Sequence, residues 1–394
     1  MSEQMVLVFG ESRLFRDERG YFSLDRGTVG RAWTRGLDGI EGLGLAVRVE
    51  AASPVPHGAS PVDVDYVAEL PYYVGLRSMV RALPRLVLAV NAAVKRSDVV
   101  VSRLPGLMGL LAVAAARRHG RPVAVEVVGD VRDVLGAGTL GPVGRVAAPF
   151  LAATTRWAVR QAQAARYMTQ RTLQEAYPVR QGVPTVGASS VQLDDTWLIP
   201  PESVGPTAVE SPVILAIGSQ EQLYKAHDTL IRAHVDVLRR HPTARLVLVG
   251  QGRMQAHLRA LANESGIGDK VDFPGYVKDR DALRDLLDSC TVFCMPSRTE
   301  GLPRALVEAM ARGRMCLGSH AGGIPELLSV ECLFDAEDVP AWSSAICRAL
   351  DAPVSRAEHG RRNAVAAQEF SPARLGERIA RWRGLVTRLA ERPA

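Results

Sequence analysis

From residue 212 onward the chain alternates short β-rich runs with segments of helical period. PVILAIG (212–218), DTLIRAHVDVLRRH, ARLVLVG, MQAHLRALANESG, KVDFPGYV, ALRDLLDSC, TVFCMPS and PRALVEAMARG follow one another with little between them. Strand and helix in strict turn, with strands apolar on both faces, predict a parallel sheet covered by helices on either side. Sheets of this kind take ligands outside the carboxyl ends of their strands. Gly218 and Ser219 follow VILAI, Gly250 and Gly252 follow RLVLV, Gly275 follows KVDFP, and Glu300 follows TVFCMPS. The candidate site therefore gathers along one edge.

The first half repeats the plan less regularly, with MVLVFG, LGLAVRVEA, SDVVVSRLPG, RPVAVEVVGD and AARYMT as strands. Between the halves, residues 177–212 are rich in Pro, Gly and Ser and read as a long connection holding a domain boundary. At 394 residues the chain exceeds the size at which one core keeps growing, so two domains are expected. The fold class is α/β, with domains at 1–205 and 206–372. A helix over 373–394, opening on Ser-Pro, is expected to pack back on the first domain.

Composition narrows the partners. With 47% apolar and 23% charged residues the chain is an ordinary globular protein. The start MSEQMVLVFGES carries neither a basic region nor an apolar leader, and no apolar run reaches membrane-spanning length, so a cytoplasmic location is expected. A net charge of +6 suits nucleic acid only where basic and aromatic residues interleave, and here they do not. An anionic membrane face or a sugar nucleotide fits the same excess. Residues 74–98 mix an apolar face with arginines and either pack on the sheet or touch a membrane peripherally. The five cysteines all lie beyond residue 289 without paired metal-ligand spacing, and read as buried thiols. His227, His234 and His241 recur every seven residues, about 10.5 Å of helical rise apart, too far to share a metal. No metal site is expected.

SRTEGLPRALVEAMARG, residues 297–313, sets Glu300 and Glu308 eight positions apart. At 1.5 Å of rise per residue a helix would separate them by about 12 Å. The carboxyl pair of a glycosidase stands within about 5 to 9.5 Å. Two hooks for the two ends of one long ligand fit that separation better than an acid/base pair on one bond.

EGLPRALVE followed by AMARG and AGGIPELL, with AIGSQEQLYKAHDTLIRAH and LVLVGQGRMQAHLRALANESGIGDKVDFPGYV upstream, resembles the retaining nucleotide-sugar glycosyltransferases of family 4. The resemblance is close over 212–350 and weaker before 200. It implies the GT-B fold, two doubly wound Rossmann-like domains facing across a cleft, the first for the acceptor and the second for the donor. It implies that Glu300 grips the donor hexose, Glu308 the ribose, and that Lys225 neutralises the departing diphosphate in place of a metal. Donor contacts are expected from Gly218, Ser219, Gly301, Leu302 and Arg304, and from Tyr276 and Val277 beside the base. Gly250 and Gly252 either close a turn or admit the ligand. Transfer would proceed by front-side attack, with a UDP-sugar as donor and no cofactor or metal. The acceptor would be a lipid-linked glycan, a polysaccharide unit or an aminocyclitol-type natural product.

Three positions depart from the family pattern. Ser219 stands where an arginine is usual, so either Arg298 or Arg304 replaces it or binding is weaker. Pro303 stands where glycine is usual and removes a backbone donor. VEVVGDVRD lacks a histidine after its strand, so Asp130, Arg132 and Arg103 are the candidates for acceptor contact, with packing an alternative for Arg103. A nucleotide-sugar 2-epimerase and a non-catalytic sugar-nucleotide-binding partner are the competing functions.

Overall fold

The computed structural model describes residues 5–24, 37, 40–62, 64–131, 141–191 and 193–391. The chain divides into two compact units. One comprises residues 1–131, 147–188 and 376–394, the other 132–146 and 189–375. The boundary falls at Ala188/Ser189, upstream of the expected 205/206.

The first unit is built from β1 (Val6–Asp17), β2 (Gly20–Ser23), β3 (Leu43–Ala51), β4 (Ser60–Pro61), β5 (Tyr66–Pro71), α1 (Leu76–Arg96), β6 (Val99–Leu104), α2 (Leu107–Arg118), β7 (Val123–Val127), α3 (Gly141–Val159), β8 (Ala164–Tyr167), α4 (Thr172–Ala176) and β9 (Thr185–Gly187). The parallel strands run β5-β3-β1-β6-β7-β8-β9. The short β2 and β4 extend the sheet antiparallel from the far half of β1. Val6, Val8, Val99, Val101 and Ala124 form the core of one face.

The second unit comprises β10 (Val213–Ile217), α5 (His227–Arg240), β11 (Arg245–Val249), α6 (Gln255–Glu264), β12 (Val271–Gly275), α7 (Arg280–Ser289), β13 (Val292–Met295), α8 (Arg304–Ala311), β14 (Met315–Ser319), α9 (Ile324–Leu327), β15 (Leu333–Phe334), α10 (Val339–Asp351) and α11 (Pro353–Ala367). All six strands are parallel, in the order β12-β11-β10-β13-β14-β15. The central strands β10 and β13 are apolar because helices cover both faces. On α5 the buried Leu230, Ile231, His234 and Val237 repeat at helical spacing, and burying Leu230 or Ile231 stabilises the unit by about 1.5–3 kcal/mol each. The last helix, α12 (Pro372–Ala390), belongs with the first unit from Gly376 onward, where Trp382, Leu385, Val386 and Leu389 join its core.

In the second unit strand order reverses between β10 and β13, which lie side by side although residues 218–291 separate them in sequence. At such a reversal the loops leaving the two strands diverge and open a crevice at the carboxyl edge.

Candidate functional site

The loop leaving β10 passes through Gly218 and Ser219 into a 3₁₀ turn, Leu223–Lys225, before α5 begins. The loop leaving β13 carries Ser297, Arg298 and Glu300 into α8. Because β10 and β13 are neighbours, these loops meet. Lys225 Nζ donates to Glu300 Oε1 at 2.5 Å, and Ser297 Oγ donates to the same oxygen at 2.6 Å. Oε2 of Glu300 takes no hydrogen bond from a described residue. Both partners of the ion pair are largely withdrawn from solvent, with side chains 17% and 8% exposed.

The turn that presents Lys225 is held from below. Arg298 donates to both carboxylate oxygens of Asp228 at 2.9 and 3.0 Å, to Glu337, and to the carbonyl of Leu223, while its backbone N–H donates to the carbonyl of Tyr224 at 2.7 Å. Burial opposes ionisation of Asp228, but the Arg298 guanidinium more than compensates and holds its carboxyl below the usual range. Arg298 is thus a clamp on the Lys225 turn, and the expectation that it might replace the missing arginine at Ser219 does not hold. Its fork is already committed to Asp228 and Glu337, and such planar bidentate pairing is what guanidinium geometry favours. Ala226, buried and at φ 52°, links the turn to α5 in a left-handed conformation that costs a non-glycine residue roughly 1–2 kcal/mol.

Gly218 makes room for Lys225, since a Cβ there would stand 2.9 Å from Lys225 Cγ. Ser219 is exposed and its hydroxyl accepts from the Glu221 N–H at 3.3 Å. For Gly250 and Gly252 the structure supplies a packing reason. A Cβ on Gly250 would lie 1.8 Å from the Gly218 carbonyl oxygen, and one on Gly252 would lie 2.1 Å from the Glu221 nitrogen. The loops after β10 and β11 therefore touch backbone to backbone. AGGIPELL plays a comparable part, because Gly322 (φ 51°) approaches the Glu300 carbonyl and Gly323 N–H donates to the Gly301 carbonyl at 2.8 Å.

Helix α8 begins at Arg304, with Pro303 at the capping position. Only half of the Glu300-to-Glu308 interval is helical, so the helical-rise reckoning of about 12 Å does not carry across residues 300–303. Glu308 lies one turn into α8, its side chain 12% exposed and 3.7 Å from Arg280 Nη1, which in turn sits over the Trp197 ring. Burial raises the Glu308 carboxyl above its ordinary value, and Arg280 and Arg304 oppose the shift. Leu302 packs on the core beside this turn, and Arg304 is exposed. Tyr276 is half-exposed after β12 and Val277 packs on the core.

In the first unit, Arg103 Nε donates to Glu126 at 2.7 Å and Arg166 donates to the other Glu126 oxygen at 3.0 Å. The packing alternative describes Arg103. Asp130 accepts from the Tyr177 hydroxyl at 2.6 Å. Arg132 lies outside the described residues. All five cysteines are free and buried.

Comparison with known proteins adds the lineage. Residues 211–352 match the family model for glycosyl transferases group 1. Protein CapJ of Staphylococcus aureus is 27% identical over 280 residues, 71% of this chain and 69% of CapJ. The GDP-mannose-dependent monoacylated alpha-(1-6)-phosphatidylinositol monomannoside mannosyltransferase of Corynebacterium glutamicum is 31% identical over 176 residues, 42% of this chain and 45% of that enzyme. The solved structure of sucrose-phosphate synthase from Thermosynechococcus elongatus superposes with a TM-score of 0.64 over 98% of both chains at 17% identity, which is a likeness of fold. The chain thus has a GT-B-like fold, and its residues 211–352 match the group 1 glycosyl transferases.

Proposed function

We propose that this chain is a glycosyltransferase that moves a hexose from a nucleoside-diphosphate sugar to an acceptor hydroxyl, with retention at the anomeric carbon and without a metal ion. The observation that carries the reading is the contact between Lys225 and Glu300 at the β10/β13 reversal. A carboxylate and an ammonium are held there side by side at the edge where such sheets take ligands. Glu300 Oε2 is the oxygen left to accept a hexose hydroxyl, and carboxylates bind hydroxyls through strong charge-assisted bonds. Lys225 supplies the positive charge for the departing diphosphate. Glu308, one turn along α8, is suited to the ribose, and the first N–H groups of α8 suit the sugar or the diphosphate. As the family resemblance implies, attack is front-side, with a leaving phosphate oxygen taking the acceptor proton and the protein contributing position and charge stabilisation.

A UDP-sugar is the expected donor. The name of the Corynebacterium relative favours GDP-mannose as a second reading and a lipid-linked glycan as the acceptor. Thermal-shift titration with UDP, GDP, ADP and dTDP separates the donors, because a ligand that binds the native state raises its melting temperature. Glu308→Gln should weaken donor binding roughly ten- to a hundredfold, since bonds to charged groups contribute about 1.5–3 kcal/mol. Lys225→Ala should chiefly lower kcat. Unchanged kinetics in both variants, or a strict Mg²⁺ requirement in the wild type, would overturn the assignment.

A further inference from the structure

The outer face of α1 is apolar where a helix that packs on a sheet should be polar. Leu86, Val90, Ala93 and Val94 are its buried side. Leu76, Val80, Leu83 and Val87 recur at i, i+4, i+7 and i+11, so they form one stripe. They are 51%, 58%, 37% and 36% exposed, and Leu88 beside them is 72% exposed. Such a patch on a globular protein marks an interaction surface.

Alongside it runs a second stripe, Arg77, Arg81 and Arg85, at spacing of four. None of the three hydrogen-bonds or pairs with a described residue, and α1 contains no Asp or Glu. Lys95 and Arg96 in the last turn suit the helix dipole, whereas cations in the first turns work against it. Only Arg77 lies in the first turn, where the dipole opposes a cation; Arg81 and Arg85 lie beyond it, and no acid on α1 gives any of the three a partner. The apolar stripe continues into an open groove of about 550 Å³ between α1 and α2, lined by Val87, Leu88, Leu111 and Ala114, with Arg118 and His119 on the rim. Helix α2 likewise contains no acidic residue.

We propose that this α1 face docks on an anionic phospholipid bilayer, with the apolar stripe entering the headgroup boundary and the arginines meeting lipid phosphates. A second copy of the chain is a poorer occupant, because a two-fold contact through a helix with cations and no acids sets arginine against arginine. Among the described residues no helix is long and apolar enough to cross a membrane, so the surface lies on the bilayer rather than spanning it.

Co-sedimentation of the full chain with vesicles of phosphatidylcholine, and of phosphatidylcholine with about one third phosphatidylglycerol, tests this. The expected result is sedimentation with the anionic vesicles only, declining as salt rises. R77Q/R81Q/R85Q should partition about a hundredfold more weakly, at roughly fivefold per cation near an anionic surface, while R77K/R81K/R85K retains binding. V80S/V87S/L88S should lose binding even at low salt with the melting midpoint kept, and if that variant melts early the arginine series decides alone. Absence of sedimentation, equal binding to neutral vesicles, or arginine variants that bind as the wild type would overturn the proposal. So would a concentration-dependent dimer, seen by light scattering, that V80S/V87S/L88S breaks.

Discussion

Arg298 shows how a residue two positions from a candidate site acts through another. Its guanidinium holds Asp228, the second residue of α5, and through the carbonyls of Leu223 and Tyr224 it fixes the turn that carries Lys225. Asp228 is only 4% exposed, so removing its partner leaves a nearly buried carboxylate with Arg232, 3.5 Å away, as its remaining ion pair. Arg298→Met is expected to destabilise the protein by about 3 kcal/mol, as for other broken buried pairs. Adding Asp228→Asn should recover a large part of that loss, since a double-mutant cycle isolates the pair. Urea unfolding of the four proteins measures the coupling, and strictly additive losses would show that the clamp contributes nothing of its own. Glu300 was legible in the sequence as a strand-end residue and Lys225 through the family resemblance, but their pairing was not. Seventy-five positions separate them, and only the adjacency of β10 and β13 brings them together.

At the scale of elements, periodicity located β10, β11, β12 and β13 closely because their apolar runs end in Gly, Pro or Ser, and it located β3 as well. It left out β5 and β14, and the short β2, β4, β9 and β15. YVAELP is polar at one edge, and MCLGS is a short apolar run that follows α8 with no periodic contrast. The extension of β1 to Asp17 was equally invisible, since charged residues interrupt its far half, which is fixed by parallel pairing with β3 and antiparallel pairing with β2. Turn glycines carried a real ambiguity, because the sequence cannot tell a close ligand from a close backbone. Here the backbone supplies the reason, and the loops after β10 and β11 form one packed unit around Gly250 and Gly252. Gly250→Ala, at φ 146° with 1.8 Å to the Gly218 oxygen, must push that loop aside. A loss of at least about 2 kcal/mol is expected, from strain of 1–3 kcal/mol and the displaced contact together. The lesion should also reach Lys225 through Gly218. Hydrogen exchange should show faster exchange at Gly218 and Gln220, whose amides donate to the carbonyls of Val249 and Gln251. Unaltered protection there would contradict the coupling.

Across the described residues, two buried histidines of α5 are expected to shape the response to mild acid. His227 and His234, read from sequence as too widely spaced for a metal, are 3% and 1% exposed within α5. Burial lowers each to about 4, with the charge of Lys225 acting in the same direction on His227. An unfolded histidine titrates near 6.5. Between those values the unfolded chain binds protons that the folded chain refuses, so stability is fully present above about pH 6.5 and falls as the pH drops toward 4. At 1.36 kcal/mol per pH unit of difference the loss approaches about 3 kcal/mol for each histidine. His234→Leu, which fills the site without a titrating group, should roughly halve the slope over that window while leaving the alkaline plateau in place. Urea midpoints measured at intervals from pH 7.5 to 4.5 decide the point, since the ordinary carboxylates titrate near or below about 4.3 and contribute mainly at the acid end. A flat profile between pH 6.5 and 5 would mean that both imidazoles take up protons in the folded state, and that α5 opens to water without the protein unfolding.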